Sequence, residues 1–209
     1  MTPTQLARSL LERAGGLLID LDGTLVDSSA PVGRAWSAFA DRHGLDPAEV
    51  LRIAQGRPSR ETVRMLAPEG AHATEEYRLE EAECTDTAGT LALPGAEALL
   101  RSGRRLAIVT SCSARLAGIR LRAAGLAPPP IVISSDDVSR GKPDPECFEI
   151  GARALSLAPG DCLVLEDSPA GITAARVAGA RVVAIRTTHQ ERELAGAEAV
   201  IDDLRVLSP

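Results

Sequence analysis

Five short apolar runs limit what this chain can fold into: LLID at 17–20, LAIVTS at 106–111, IVISSD at 131–136, CLVLED at 162–167 and RVVAIR at 181–186. Each is apolar on both faces, rich in branched residues and too short for a buried helix, the pattern of strands in a parallel sheet. Helical patterns fill 95–102, 113–124, 145–157 and 169–179, with glycines at the turns between. This alternation predicts an α/β fold, an open Rossmann-like parallel sheet with helices on both faces. Such sheets bind ligands beyond the carboxyl ends of their strands. The clusters DLDGT, TSCS and EDS, which follow three of the runs, are therefore expected at one edge.

The rhythm breaks between 30 and 90, where no strand-like run occurs and helices fit 31–43, 47–54, 59–67 and 72–84. Prolines and glycines mark the breaks. The expected organisation is a core of 1–28 and 92–209 with a helical insert at 29–91. A short helix over 3–14, with Leu6, Leu10 and Leu11 on one side, precedes the first strand and carries no motif.

Composition excludes several functions. A net charge of −6 and only four aromatic residues argue against a nucleic-acid surface or a base-stacking platform. No apolar run approaches the roughly 18 residues of a membrane span, and the N-terminus lacks the order of a secretory signal. Cys84, Cys112, Cys147 and Cys162 show no metal-ligand spacing. Reduced thiols in a cytoplasmic protein, monomeric in the absence of a coiled-coil pattern, are expected.

Four constellations carry chemistry. Asp20 and Asp22, in Asp20-Leu21-Asp22-Gly23-Thr24, place two carboxylates after a buried strand, a desolvation cost that a hard cation offsets; the same residues also suit a strand-to-turn cap. Glu166-Asp167-Ser168 repeats the arrangement at a second strand, where helix capping is the plainer alternative. Thr110-Ser111-Cys112-Ser113 sets hydroxyls and backbone N–H groups at a helix start, which suits a phosphate. Lys142 lies in the stiff loop Arg140-Gly141-Lys142-Pro143-Asp144-Pro145. It is the single lysine among 23 basic residues, the other 22 being arginine. Its compact ammonium can touch a carboxylate and a phosphoryl oxygen together; arginine's planar fork does a different job. Amine-directed reagents are expected at the N-terminus and at Lys142.

DLDGTLVDS, the TS at 110–111, GKPDP and LEDSPAG, in this order, resemble the four motifs of the haloacid dehalogenase superfamily. The insert resembles its helical type 1 cap. VGRAWSAFADRHGL, LPGAEALL and IVTSCS are similar to the sugar-phosphate and sugar-alcohol-phosphate phosphatases of that superfamily. The resemblance implies a Mg²⁺-dependent phosphatase acting on a small phosphorylated metabolite. Asp20 is then the nucleophile that forms an aspartyl-phosphate, and Asp22 the acid and base. Lys142 stabilises both nucleophile and phosphoryl group. Asp20, the Asp22 carbonyl and Asp167 bind the metal, with Glu166 supporting. Gly23, Thr24, Thr110, Ser111 and Cys112 surround the phosphate, with Thr110 and Ser111 alternatives for its main hydroxyl.

In the insert, Arg57 and Arg60 of QGRPSRE are the candidate substrate contacts. Trp36 and Phe39 are expected in its core, and Glu75, Glu76, Glu80, Glu81 and Glu83 on its solvent face. The rival activity is a β-phosphoglucomutase-like sugar phosphomutase. Such enzymes typically carry a His after the first motif and a Lys-Asn pair after the TS-like turn. Val32 and Ala114-Arg115 stand there instead.

Overall fold

The computed structural model describes residues 1–54 and 57–207. Gln55 and Gly56 of the QGRPSRE stretch, and Ser208 and Pro209 at the end of the expected core, lie outside the described residues. In chain order the elements are α1 (Pro3–Arg13), β1 (Gly16–Ile19), β2 (Val26–Asp27), α2 (Ser29–His43), α3 (Pro47–Ala54), α4 (Ser59–Leu66) and α5 (His72–Thr85). They continue with β3 (Leu91–Ala92), α6 (Ala96–Leu100), β4 (Leu106–Val109), α7 (Ala114–Ala123), β5 (Val132–Ile133) and α8 (Glu146–Ala154). The chain ends with β6 (Cys162–Glu166), α9 (Pro169–Val177), β7 (Arg181–Ile185) and β8 (Ala199–Ile201).

Six strands form one parallel sheet in the order β5-β4-β1-β6-β7-β8. Central β1 pairs Ile19 with Ile108 of β4 on one side and with Leu165 of β6 on the other. The ends of these three strands therefore lie side by side where the chain order reverses, the usual ligand crevice of an open α/β sheet. Strand residues alternate between two cores. Leu17, Ile19, Ile108 and Leu165 pack with Leu121 of α7 on one face; Leu18, Val109 and Val164 pack with Phe148 of α8 and Ile172 of α9 on the other. Runs that are apolar throughout follow from this two-sided burial.

Helix α1 has a structural place. Thr2 and Gln5 form a capping box at its start, and Ala7, Leu10 and Leu11 are buried with Leu204 and Leu207 in the first core. Arg8 Nε donates to the Val206 carbonyl at 2.7 Å, joining the two ends of the described chain. Burial of Leu10 and Leu11 contributes about 2 kcal/mol each.

Three strands of two or three residues escape the sequence reading: β8, and the antiparallel pair β2–β3. Val26 opposes Ala92 in that pair, so it ties together the two segments by which the chain leaves and re-enters the sheet region. Between them α2–α5 pack around their own centre, where Trp36 and Phe39 lie edge to face with ring centroids 5.3 Å apart.

The acidic helix α5 differs from expectation. Glu75 is buried, not solvated: Arg42 Nη2 reaches it at 2.6 Å and Arg78 Nη1 at 2.8 Å. The hydrogen bond from Arg42 leads in holding its carboxyl below the usual range. A carboxylate spaced like a surface residue thus staples α2 to α5, because its partners lie on a neighbouring helix as well as on its own.

Candidate active site

Asp20 follows β1 and is 6% exposed. Lys142 Nζ donates to Asp20 Oδ1 at 2.6 Å, to Glu166 Oε1 at 2.6 Å and to the Val109 carbonyl at 3.2 Å. One ammonium thus joins the ends of β1, β4 and β6 and uses all three of its donors. Burial works against its charge, but Asp20 and Glu166 outweigh that and raise its pKa well above the ordinary lysine value. Lys142 is 2% exposed, so the labelling expectation changes. The folded protein is expected to take one amine-directed label, at the N-terminus, and a second only after unfolding. A second label in the intact mass of the native protein contradicts this.

Glu166 closes β6 and is fully buried. Its Oε2 accepts from the Asp167 and Ser168 backbone N–H groups, each at 2.8 Å, and from Ser168 Oγ at 2.9 Å. With Oε1 on Lys142, both oxygens are engaged, so Glu166 anchors the lysine and the start of α9. Gly171 is required there, since a Cβ would fall 1.7 Å from Glu166 Oε1.

Asp167 completes a group in which one carboxylate oxygen each from Asp20, Glu166 and Asp167 lie within 4.8 Å of one another. Thr188, after β7, donates to Asp167 Oδ2, and His189 Nδ1 lies 3.0 Å from the Asp167 carbonyl. Burial, helped by Glu166, pushes the Asp20 carboxyl up to about 7 against the pull of Lys142. Burial, then Glu166 and Asp20, raises Asp167 as well. Three buried carboxylates facing one ammonium leave negative charge uncompensated, and an all-oxygen donor set of this kind suits a hard divalent cation.

Gly23 turns the chain past this group with φ +84°, and a Cβ there would lie 2.1 Å from Asp167 Oδ2. Asp22 stands beside it, half-buried. Its Oδ1 accepts from Ser28 Oγ at 2.6 Å and its Oδ2 from Arg120 Nη1 at 2.6 Å. The second arm of Arg120 is paired with Glu83 of α5.

Thr110 Oγ1 accepts from the Cys112 backbone N–H at 3.2 Å in a local turn and lies 2.9 Å from Cys112 Sγ. Ser111 lines the cavity at the same edge. Burial and Asp22 push the Cys112 thiol far up, which keeps it protonated and unfit as a nucleophile.

These groups open into a cavity of about 580 Å³ between the sheet edge and the helical insert. The structure brings Asp20, Asp22, Gly23, Thr110, Ser111, Cys112, Lys142 and Asp167 to it, and Arg57 and Arg60 from the insert. One terminal nitrogen of Arg60 is buried without a hydrogen-bond partner among the described residues. Trp36 belongs to the insert core and also touches the cavity. Thr24 is not brought there: it is fully buried, and its hydroxyl has no partner among the described residues.

The reading of the acidic stretch as solvent face needs a second correction. Glu76, Glu80 and Glu83 line the cavity, and Glu83 is 5% exposed. Arg120, Glu83 and Thr188 lie in no motif and gain their place only through packing; Ser28 closes the DLDGTLVDS motif, but nothing in the sequence signals its hydrogen bond to Asp22.

A family model described as haloacid dehalogenase-like hydrolase matches residues 15–179, and the chain belongs to that family. Among curated proteins it is 42% identical over 203 residues to hexitol phosphatase A of Escherichia coli (strain K12), covering 94% of each chain. It is 37% identical to validoxylamine A 7'-phosphate phosphatase of Streptomyces hygroscopicus subsp. limoneus, covering 90% of this chain and 92% of that one. The crystal structure of a hydrolase from Pseudomonas syringae superposes with TM-score 0.81 at 29% identity, covering 92% and 94% of the two chains.

Proposed function

We propose that this hydrolase is a Mg²⁺-dependent phosphatase of small phosphate esters, sugar or sugar-alcohol phosphates, working through an aspartyl-phosphate on Asp20. The observation that carries the reading is the Lys142 ammonium on Asp20, beside the acidic group and two residues from Asp22. The named relatives, phosphatases of hexitol and validoxylamine phosphates, support the substrate class.

Asp20 attacks phosphorus as the ester P–O bond breaks, while Asp22 gives its proton to the departing alcohol. Asp22 then takes a proton from the water that hydrolyses the aspartyl-phosphate. Lys142 steadies the nucleophile and the phosphoryl oxygens, and Ser111 offers its hydroxyl to the phosphate. Glu166 holds Lys142 in place. Asp20, Asp167 and the Asp22 carbonyl are the candidate metal ligands; Mg²⁺ bound there supplies charge neutralisation for the phosphoryl group.

The insert acts as a cap that excludes water. Glu76 and Glu80 on the cavity wall favour substrate hydroxyls over a second anionic group. Val32 and Ala114-Arg115 in place of the mutase residues support transfer to water. No helix among the described residues is long and apolar enough to cross a membrane.

A phosphate-release screen over hexose, hexitol, pentose, glycolate and nucleotide phosphates tests this directly. Fastest turnover of hexose or hexitol esters is expected. Exclusive preference for nucleotides or phosphoglycolate overturns the substrate class.

The raised carboxyls set a pH dependence. Asp20 binds its proton more tightly folded (about 7) than unfolded (about 3.8), so stability falls as pH rises between those values. Asp167 acts in the same direction. The raised pKa of Lys142 supports the fold throughout this window and does not change its slope. Metal-free protein is expected to melt at a lower temperature at pH 7.5 than at pH 5.5, with Mg²⁺ raising the melting temperature more at the higher pH. An equal Mg²⁺ effect at both pH values contradicts the link between these carboxyls and the metal.

A further inference from the structure

Helix α5 of the insert meets α7 of the core through three side-chain contacts. Glu80 Oε1 accepts from Ser113 Oγ at 2.6 Å, Glu81 pairs with Arg115, and Glu83 pairs with Arg120. They are not equivalent. The Glu81–Arg115 pair sits at the rim, with side chains 31% and 54% exposed, whereas Glu83 and Arg120 are 5% and 7% exposed. Only the buried pair reaches a reacting group, since Arg120 Nη1 lies 2.6 Å from Asp22 Oδ2.

A carboxylate and a guanidinium out of water, as Glu83 and Arg120 are, cost more than apolar side chains of similar volume. Arg120 packs on the same helix as Leu116, Ala117 and Leu121, where an apolar residue could be buried without that cost. The arrangement has a geometric consequence. With Oδ2 tied to Arg120, the plane of the Asp22 carboxyl is set, and Oδ1 is the oxygen that can exchange the Ser28 hydroxyl for the departing alcohol.

We infer that Arg120 is the positioning residue of Asp22, and that Glu83, carried in by the insert, fixes Arg120. Asp22 is thereby aimed only when α5 is docked on α7. A guanidinium is suited to this bridge because its fork meets two carboxylates at once. The inference rests on the acid/base reading of Asp22 given above.

Leaving-group dependence tests it. A misplaced proton donor slows loss of an alkoxide and hardly affects loss of 4-nitrophenolate. The full chain with Mg²⁺ is assayed on 4-nitrophenyl phosphate and on the sugar or sugar-alcohol phosphate turned over fastest in the screen above. Asp22→Asn calibrates the readout. Glu83→Gln and Arg120→Lys are expected to lower the alkyl-to-aryl ratio of kcat/KM about tenfold or more, part of the roughly 10²–10⁴-fold a placed donor supplies. The loss falls in kcat with KM held.

Arg115→Gln, at the rim of the same contact, is expected to leave the ratio unchanged. Glu83→Gln is close to isosteric and carries the test alone if Arg120→Lys does not fold. An unchanged ratio in Glu83→Gln, or an equal fall in Arg115→Gln, overturns the inference. If Asp22→Asn itself leaves the ratio unchanged, the acid/base reading fails and the inference with it.

Discussion

Asp20→Asn is expected to lose turnover by at least about 10⁴-fold, to trace level, because an amide is no nucleophile toward phosphorus. The side chain keeps its shape, and its amide oxygen can still accept from Lys142 Nζ, which lies 2.6 Å from Asp20 Oδ1. The fold should therefore survive. The substitution also removes one of three close carboxylates that share a single ammonium. In metal-free buffer near neutral pH the variant is expected to melt at or above the wild-type temperature, with a smaller Mg²⁺ response. Phosphate release and thermal melting check both halves. Turnover well above trace rules out Asp20 as nucleophile.

Lys142→Arg should cost roughly 10²–10³-fold in kcat although charge is conserved. The ammonium sits among Asp20 Oδ1, Glu166 Oε1 and the Val109 carbonyl, and lies 5.3 Å from the centre of the Phe148 ring. A guanidinium is larger and planar, and cannot bring one nitrogen to all three acceptors in so buried a position. Lys142→Met should be worse for stability, by about 3–5 kcal/mol at neutral pH, because it strands two buried carboxylates without a cation. Lys142→Arg turning over within threefold of wild type would mean that the one lysine in this arginine-rich chain survived by chance.

Much of the site is legible in the sequence because its chemistry sits in short local patterns at strand ends. An apolar run ending in acid identifies a buried strand and places the acid at the sheet edge, which is enough to assign Asp20, Glu166 and Asp167 to that edge. Lys142 stands out by composition and by its proline-bounded loop. The choice between Thr110 and Ser111 was not legible, and both residues line the cavity; the structure adds that Thr110 Oγ1 accepts from the Cys112 N–H. Thr24 reads as part of a motif, yet its burial takes it away from the cavity.

Helix α5 shows the limit of reading charge in one dimension. Five glutamates in a short stretch look solvated, and only three-dimensional neighbours reveal that Glu75 meets Arg42 and Glu83 meets Arg120. Arg120 itself is one of 22 arginines and stands 98 residues from the carboxylate it holds.

The sequence alone determined the parallel sheet, its helical insert and the residues at the strand ends, because hydrophobic periodicity and turn residues act over a few positions. The motifs already implied Lys142 beside Asp20, but only the tertiary structure decided the other meetings: Lys142 with Glu166, and Arg120 with Asp22 and Glu83. Such pairs depend on how helices from distant segments pack against the sheet and each other, and burial then makes each pairing strong enough to shape the chemistry.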